Sequence, residues 1–184
     1  ADKIAENVRR AFTIAQSGIP GPVIVSLPED MLLDQTDAPA LGPTKIIQPK
    51  PDAGDIVELC DMLSAAERPV IIAGGQIGGE RGREALRAVS ESWNVPVAVS
   101  WRHQDLFDVD HPNYACHLAF NMPPVFKDTL NESDLIIAIG TRLGDVVTQG
   151  YKLPEAPSPK QKLVHIYNDA KPIGNVFDTD LAMV

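Results

Sequence analysis

Ser133-Asp134-Leu135-Ile136-Ile137-Ala138-Ile139-Gly140-Thr141-Arg142 sets five consecutive apolar residues between an acidic start and a glycine stop. A run that is apolar on both of its alternating faces suits a strand buried above and below, the condition of a parallel sheet covered by helices. Three other stretches share this character: Val70-Ile71-Ile72-Ala73, the segment from Val95 to Val99, and Lys162-Leu163-Val164-His165-Ile166-Tyr167. Helical spacing fills the intervals. Ile56, Leu59, Cys60 and Leu63 share one face of a segment from Asp52 to Ala66, and Leu86, Val89 and Trp93 share one from Glu80 to Trp93. Pro123 to Leu130 reads as a further helix, and Ala115 to Phe120 as a fifth strand. The fold class is therefore α/β, a Rossmann-like doubly wound parallel sheet flanked by helices, with its ligand ground at the carboxyl ends of the strands.

Upstream the pattern changes. Ile4, Val8, Ala11, Phe12 and Ala15 give residues Asp2 to Gln16 an amphipathic helical period, with Asp2 as its cap and Gly18 as its stop. Val23-Ile24-Val25-Ser26-Leu27, between Pro20-Gly21-Pro22 and Pro28, reads as a strand. From Asp34 to Pro51 the chain holds Pro39, Gly42, Pro43, Pro49 and Pro51 without a sustained period, which is linker composition. The expected organisation is a helix-strand appendage plus linker over residues 1–48 and the main domain over 49–184.

Composition narrows the partners. A net charge of −9, with sixteen Lys and Arg that form no run, excludes the concentrated basic face that nucleic acid requires. Two cysteines, Cys60 and Cys116, are too few for a disulfide framework. The start at Ala1 lacks the apolar core of a signal peptide, and no apolar run reaches membrane-spanning length, so the expectation is a soluble, cytoplasmic protein that binds small molecules. The absence of an initial Met and the immediate entry into a helix suggest a segment of a longer polypeptide.

Three strand ends carry chemistry. Gly74, Gly75 and Gln76, within Ala73-Gly74-Gly75-Gln76-Ile77-Gly78-Gly79, follow a strand and open a helix. Either their amides approach a pyrophosphate at the helix N-terminus, or they form only a tight turn. Gln76 stands where the dinucleotide fingerprint has its second glycine, and the next strand ends in Ser100-Trp101 without a carboxylate for a ribose, which disfavours an ordinary NAD site. Gly140, Thr141 and Arg142 form a second half-site, in which Arg142 pairs with a phosphate or closes a surface loop with Asp145. Ser100 and Trp101, followed by Arg102-His103-Gln104-Asp105, offer a ring that stacks on a ligand or simply packs. His103, His111, Cys116 and His117 follow no metal-ligand spacing, and no nucleophile and base stand in a recognisable pattern. Residues with a catalytic role are not visible.

Taken in order, these segments resemble the middle of thiamine-diphosphate-dependent enzymes of the acetolactate synthase type. Arg9-Arg10-Ala11-Phe12 and Gly21-Pro22-Val23-Ile24-Val25-Ser26-Leu27-Pro28-Glu29-Asp30 look like the last helix and strand of that family's N-terminal, pyrimidine-binding domain. Arg68-Pro69-Val70-Ile71-Ile72-Ala73-Gly74-Gly75, Val95-Pro96-Val97, Asp110-His111-Pro112-Asn113-Tyr114, Ser133 to Arg142 and Lys162 to Ile166 look like successive landmarks of its central domain. The resemblance implies a six-stranded sheet that holds FAD in some relatives, ADP in others and nothing in the rest. It further implies a parent enzyme that works on 2-oxo acids by decarboxylation and carboligation. Thiamine diphosphate and Mg2+ would lie between N- and C-terminal domains of different subunits, hence in a homo-oligomer. Neither the activating glutamate nor the metal motif of those domains occurs in this chain, which is expected to be inert alone. FAD-binding relatives read G-A-R-F-D-D-R and H-I-D-I-D; here Gly140-Thr141-Arg142-Leu143-Gly144-Asp145-Val146 loses the second arginine and His165-Ile166-Tyr167-Asn168-Asp169 loses the first carboxylate. These departures favour a scaffold domain over the alternative, a working FAD- or ADP-binding module. A third reading, a small NAD-consuming enzyme on a similar sheet, lacks an acid/base set.

Overall fold

A strand that is apolar on both faces is satisfied only when both faces are covered and both of its edges are paired. The computed structural model, which describes residues 1–184, meets both conditions for the central strands. The strands are β1 (Pro69–Ala73), β2 (Val97–Val99), β3 (Tyr114–His117), β4 (Leu135–Ile139), β5 (Lys162–Ile166) and β6 (Leu181–Met183). All neighbours are parallel, in the order β3-β2-β1-β4-β5-β6. The winding therefore reverses between β1 and β4, which pair from Pro69 opposite Leu135 to Ala73 opposite Ile139.

The helices are α1 (Ile4–Gln16), α2 (Ala53–Ala65), α3 (Gly79–Trp93) and α4 (Pro124–Glu132). Period two along the strands sorts their side chains into two cores. Ile71, Ala73, Val97, Val99, Ile137 and Val164 meet Leu63 of α2 and Leu86 of α3 on one face. Val70, Ile72, Ala98, Ile136, Ala138 and Leu163 meet Phe126 and Leu130 of α4 on the other. No helix follows β4 or β5, so the second face is completed by Leu143, Val147 and Phe177 from the irregular connections. Burying each large side chain contributes about 1.5–3 kcal/mol, which explains why the central runs tolerate almost no polar residue.

Several boundaries differ from the reading of the sequence. The fifth strand is Tyr114–His117, because the edge of β2 begins pairing at Tyr114 opposite Val97. β2 itself begins at Val97: Pro96 accepts a bond from Ile71 but has no N–H to donate. β6 was not legible from composition, since its three residues alternate buried, exposed, buried in the manner of a short edge. α2 is capped by a side chain, the Asp52 carboxylate accepting from the Gly54 amide at 2.7 Å. α1 is not: Lys3 occupies the cap position, and Asp2 instead accepts from the Thr36 hydroxyl at 2.5 Å.

The chain divides into two compact units, Ala1–Pro49 and Lys50–Val184. In the first, no residue is buried, and Val23–Leu27, expected as a strand, joins no ladder. A strand exists through its hydrogen-bonded neighbour, and no second strand lies within residues 1–49. Ile24 consequently stands 94% exposed.

Candidate functional site at the carboxyl ends of the strands

Because every strand is parallel, the loops after β1, β2, β4 and β5 gather at one end of the sheet, around the reversal between β1 and β4. The glycines at that point are placed by contact. A methyl group on Gly74 would lie 2.5 Å from the Gly140 carbonyl oxygen and 2.6 Å from Thr141 Cβ, so only glycine lets the two loops touch. Gly140 has φ +67°, a left-handed conformation that side chains resist, and a methyl there would meet the Ile77 amide nitrogen at 2.7 Å. Gly75 faces a different neighbour: its missing methyl would fall within the ring of His103, 2.6 Å from Nε2.

The amides of this turn are already engaged. Gly74 donates to the Ile139 carbonyl at 2.8 Å, Gln76 to Gly140 at 3.0 Å and Ile77 to Gly74 at 3.1 Å. On the facing loop, Thr141 is buried; its hydroxyl accepts from the Leu143 amide at 3.2 Å and its carbonyl from His165 Nε2 at 2.9 Å. Burial pushes the His165 imidazole below its ordinary value, so it stays neutral as it makes that bond. Gln76 reaches across the end of β4 to Asn168 beyond β5, its side-chain oxygen accepting from Nδ2 at 3.0 Å.

The remaining sequence-selected residues lie around this centre. Arg142 is exposed and makes no ion pair with Asp145, whose carboxylate accepts instead from the Val146 amide at 2.8 Å. Its charge lies near the buried hydroxyl of Tyr167, which burial pushes up while the guanidinium opposes that rise. Ser100 is buried and extends the ladder through its amide to the Ala73 carbonyl. Trp101 packs against the second core, with Phe120 at its edge 5.1 Å away and the Arg102 guanidinium 4.0 Å over its ring. Arg102 itself has φ +69°. Thus Gly74, Gly140 and Thr141 come together, Gly75 meets His103, and Gln76 meets Asn168. Trp101 and Arg142 join other neighbours.

The sequence offered His103 only beside Trp101 and among histidines that follow no metal-ligand spacing, and Asn168 only as a member of the stretch His165-Ile166-Tyr167-Asn168-Asp169. The one available signal was position, since each stands just beyond a strand end. Nearby, His117 faces Gln104 through Nδ1 at 3.1 Å, while its Nε2 is buried without a hydrogen-bond partner. Nowhere do three or more His, Cys, Asp or Glu side chains assemble to hold a metal ion.

Residues 56–184 match the family described as thiamine pyrophosphate enzyme, central domain. This chain belongs to that family. The acetolactate synthase large subunit of Parasynechococcus marenigrum is 30% identical over 184 residues, which is 96% of this chain and 29% of that protein. The acetolactate synthase of Mycobacterium bovis is 30% identical over 191 residues, covering all of this chain and 30% of its own length. A solved structure of a protein from Mycobacterium smegmatis, described as a thiamin diphosphate-dependent enzyme, superimposes with a TM-score of 0.67. It is 23% identical over the whole of this chain and 35% of that one, a likeness of fold. The thiamine pyrophosphate enzyme central domain thus accounts for the six-stranded sheet, and the chain spans about 30% of the length of these curated relatives. No helix is long and apolar enough to cross a membrane.

Proposed function

We propose that this chain is the structural central part of a cytoplasmic, thiamine-diphosphate-dependent enzyme that decarboxylates 2-oxo acids and joins the resulting carbon fragment to a second carbonyl. The observation that carries this reading is the family match over residues 56–184, joined to similarity along the whole of this chain with part of an acetolactate synthase. The polar groups at the strand ends bond mainly to one another, and that supports a scaffold in preference to a catalytic role for this chain. Thiamine diphosphate and Mg2+ are assigned to N- and C-terminal domains of the parent, where the cofactor supplies the carbanion chemistry. The central domain joins the two and contributes to contacts in a homo-oligomer.

Residues 1–48 are assigned to the end of the preceding pyrimidine-binding domain and the linker. Two facts support this: the family match begins at residue 56 while the relatives align over the whole chain, and the first unit buries no residue. Val23–Leu27 would then take its ladder from that domain's sheet.

The test is to assay the whole parent protein for consumption of pyruvate and other 2-oxo acids with and without magnesium–thiamine diphosphate, alongside the 184-residue chain. Cofactor-dependent turnover by the parent and none by the chain is the expected result. Turnover of a 2-oxo acid or of NAD by the chain alone would overturn the scaffold reading.

A further inference from the structure

The strand-end crevice of a doubly wound sheet holds a dinucleotide by two means: amides pointing outward from a glycine turn, and empty space above them. This crevice has neither feature in the usual form. The Gln76 and Ile77 amides point inward, to the carbonyls of Gly140 and Gly74, so two donors that a pyrophosphate would need are already used. The surface of Gly75 is covered by the His103 imidazole, close enough that a methyl could not be inserted between them. Above β4, the hydrogen bond between Gln76 and Asn168 spans from the loop of β1 to that of β5.

We propose that the crevice is closed by the chain's own side chains, with His103 seated on Gly75 as a plug and the Gln76–Asn168 pair as a clasp. The domain then excludes FAD, ADP and related nucleotides and holds its loops in place without them. The physical reason is substitution: internal donors and acceptors occupy positions where a ligand's phosphates and ring would otherwise organise four separate loops. A ligand whose diphosphate used the Gln76 and Ile77 amides would have to break these inward hydrogen bonds, and one lying on Gly75 would have to displace the half-buried imidazole. This inference is independent of the proposed enzymatic activity, since a parent enzyme works on 2-oxo acids with or without a nucleotide in its central domain.

The experiment has two arms. In the first, FAD and ADP are titrated into the unmodified 184-residue chain while its melting temperature is followed, and the whole parent protein is examined for flavin absorbance as purified. No shift up to millimolar ligand and no flavin are expected. A saturable rise in melting temperature with either nucleotide, or flavin carried through purification, would overturn the proposal. The second arm compares Gly75→Ala in the unmodified chain and in a His103→Ala background by urea unfolding. Gly75→Ala is expected to lower the midpoint when His103 is present, because the half-buried imidazole has to swing off the glycine, with most of that loss disappearing when His103 is alanine. Equal losses in the two backgrounds would mean that His103 does not sit on Gly75, and the plug would be refuted.

Discussion

At the scale of single residues, the crevice is built from contacts that leave no room for a methyl group. Gly140→Ala is expected to destabilise the chain by about 1–3 kcal/mol, from overpacking against Ile77 together with the cost of a left-handed alanine. Chemical denaturation reads this directly, and a loss within experimental error would contradict the close approach of the two loops. His165 makes a second prediction. Its folded-state value is depressed by burial, so the unfolded chain takes up a proton near the ordinary value of 6.5 while the folded chain does not. Stability from the neutral imidazole is therefore complete above about pH 6.5 and declines as pH falls below it towards the depressed folded value. Urea midpoints at neutral and mildly acidic pH should fall more for the unmodified chain than for His165→Gln. Equal slopes would place His165 outside the pH response.

At the scale of elements, each helix is held by a few identifiable groups. α4 carries Phe126 and Leu130 into the second core, where Leu130 is fully buried. Leu130→Ala should cost about 2–5 kcal/mol, because removing the side chain forfeits its burial and leaves a cavity beneath an otherwise short helix. Asp52→Ala removes the cap of α2 and should cost about 1 kcal/mol, measured in the same unfolding experiment. The larger loss belongs to the packing residue because the cap satisfies one amide at a solvated end. The starts of β1 and β4 are tied similarly. Burial pushes the Asp134 carboxyl up, but the amides of Glu67 and Arg68, at 2.7 and 2.9 Å, overcome this and hold it below its ordinary value.

At the scale of the whole molecule, the two compact units should differ in how firmly they hold their backbone. The first 49 residues bury nothing, whereas the second unit has two continuous cores. Limited proteolysis should cut within residues 17–52 well before the sheet, leaving a resistant fragment that begins near α2; early cleavage within β1 to β5 would contradict this. The cysteines provide a second reading of the same contrast. Cys60 is exposed, while Cys116 is buried and its thiol is pushed up to about 12 by burial. A thiol reagent should titrate Cys60 in the native protein and Cys116 only after denaturation.

The sequence by itself determined the layered α/β class, the central strands and the helices between them. A side chain's need for burial on two faces is a local property, written in the run Leu135 to Ile139 and its counterparts. It also determined the family, because the order of several weak landmarks carries more information than any one of them. What only the tertiary structure decided is how the strand ends are used. Gly74 and Gly75 are explained by Thr141 and His103, residues 67 and 28 positions away along the chain. An amide that points outward to a phosphate and one that points inward to a carbonyl are encoded by the same residue type. The missing ladder of Val23–Leu27 has the same origin, since its β-branched pattern records a preference for a sheet but not the neighbour that must supply it.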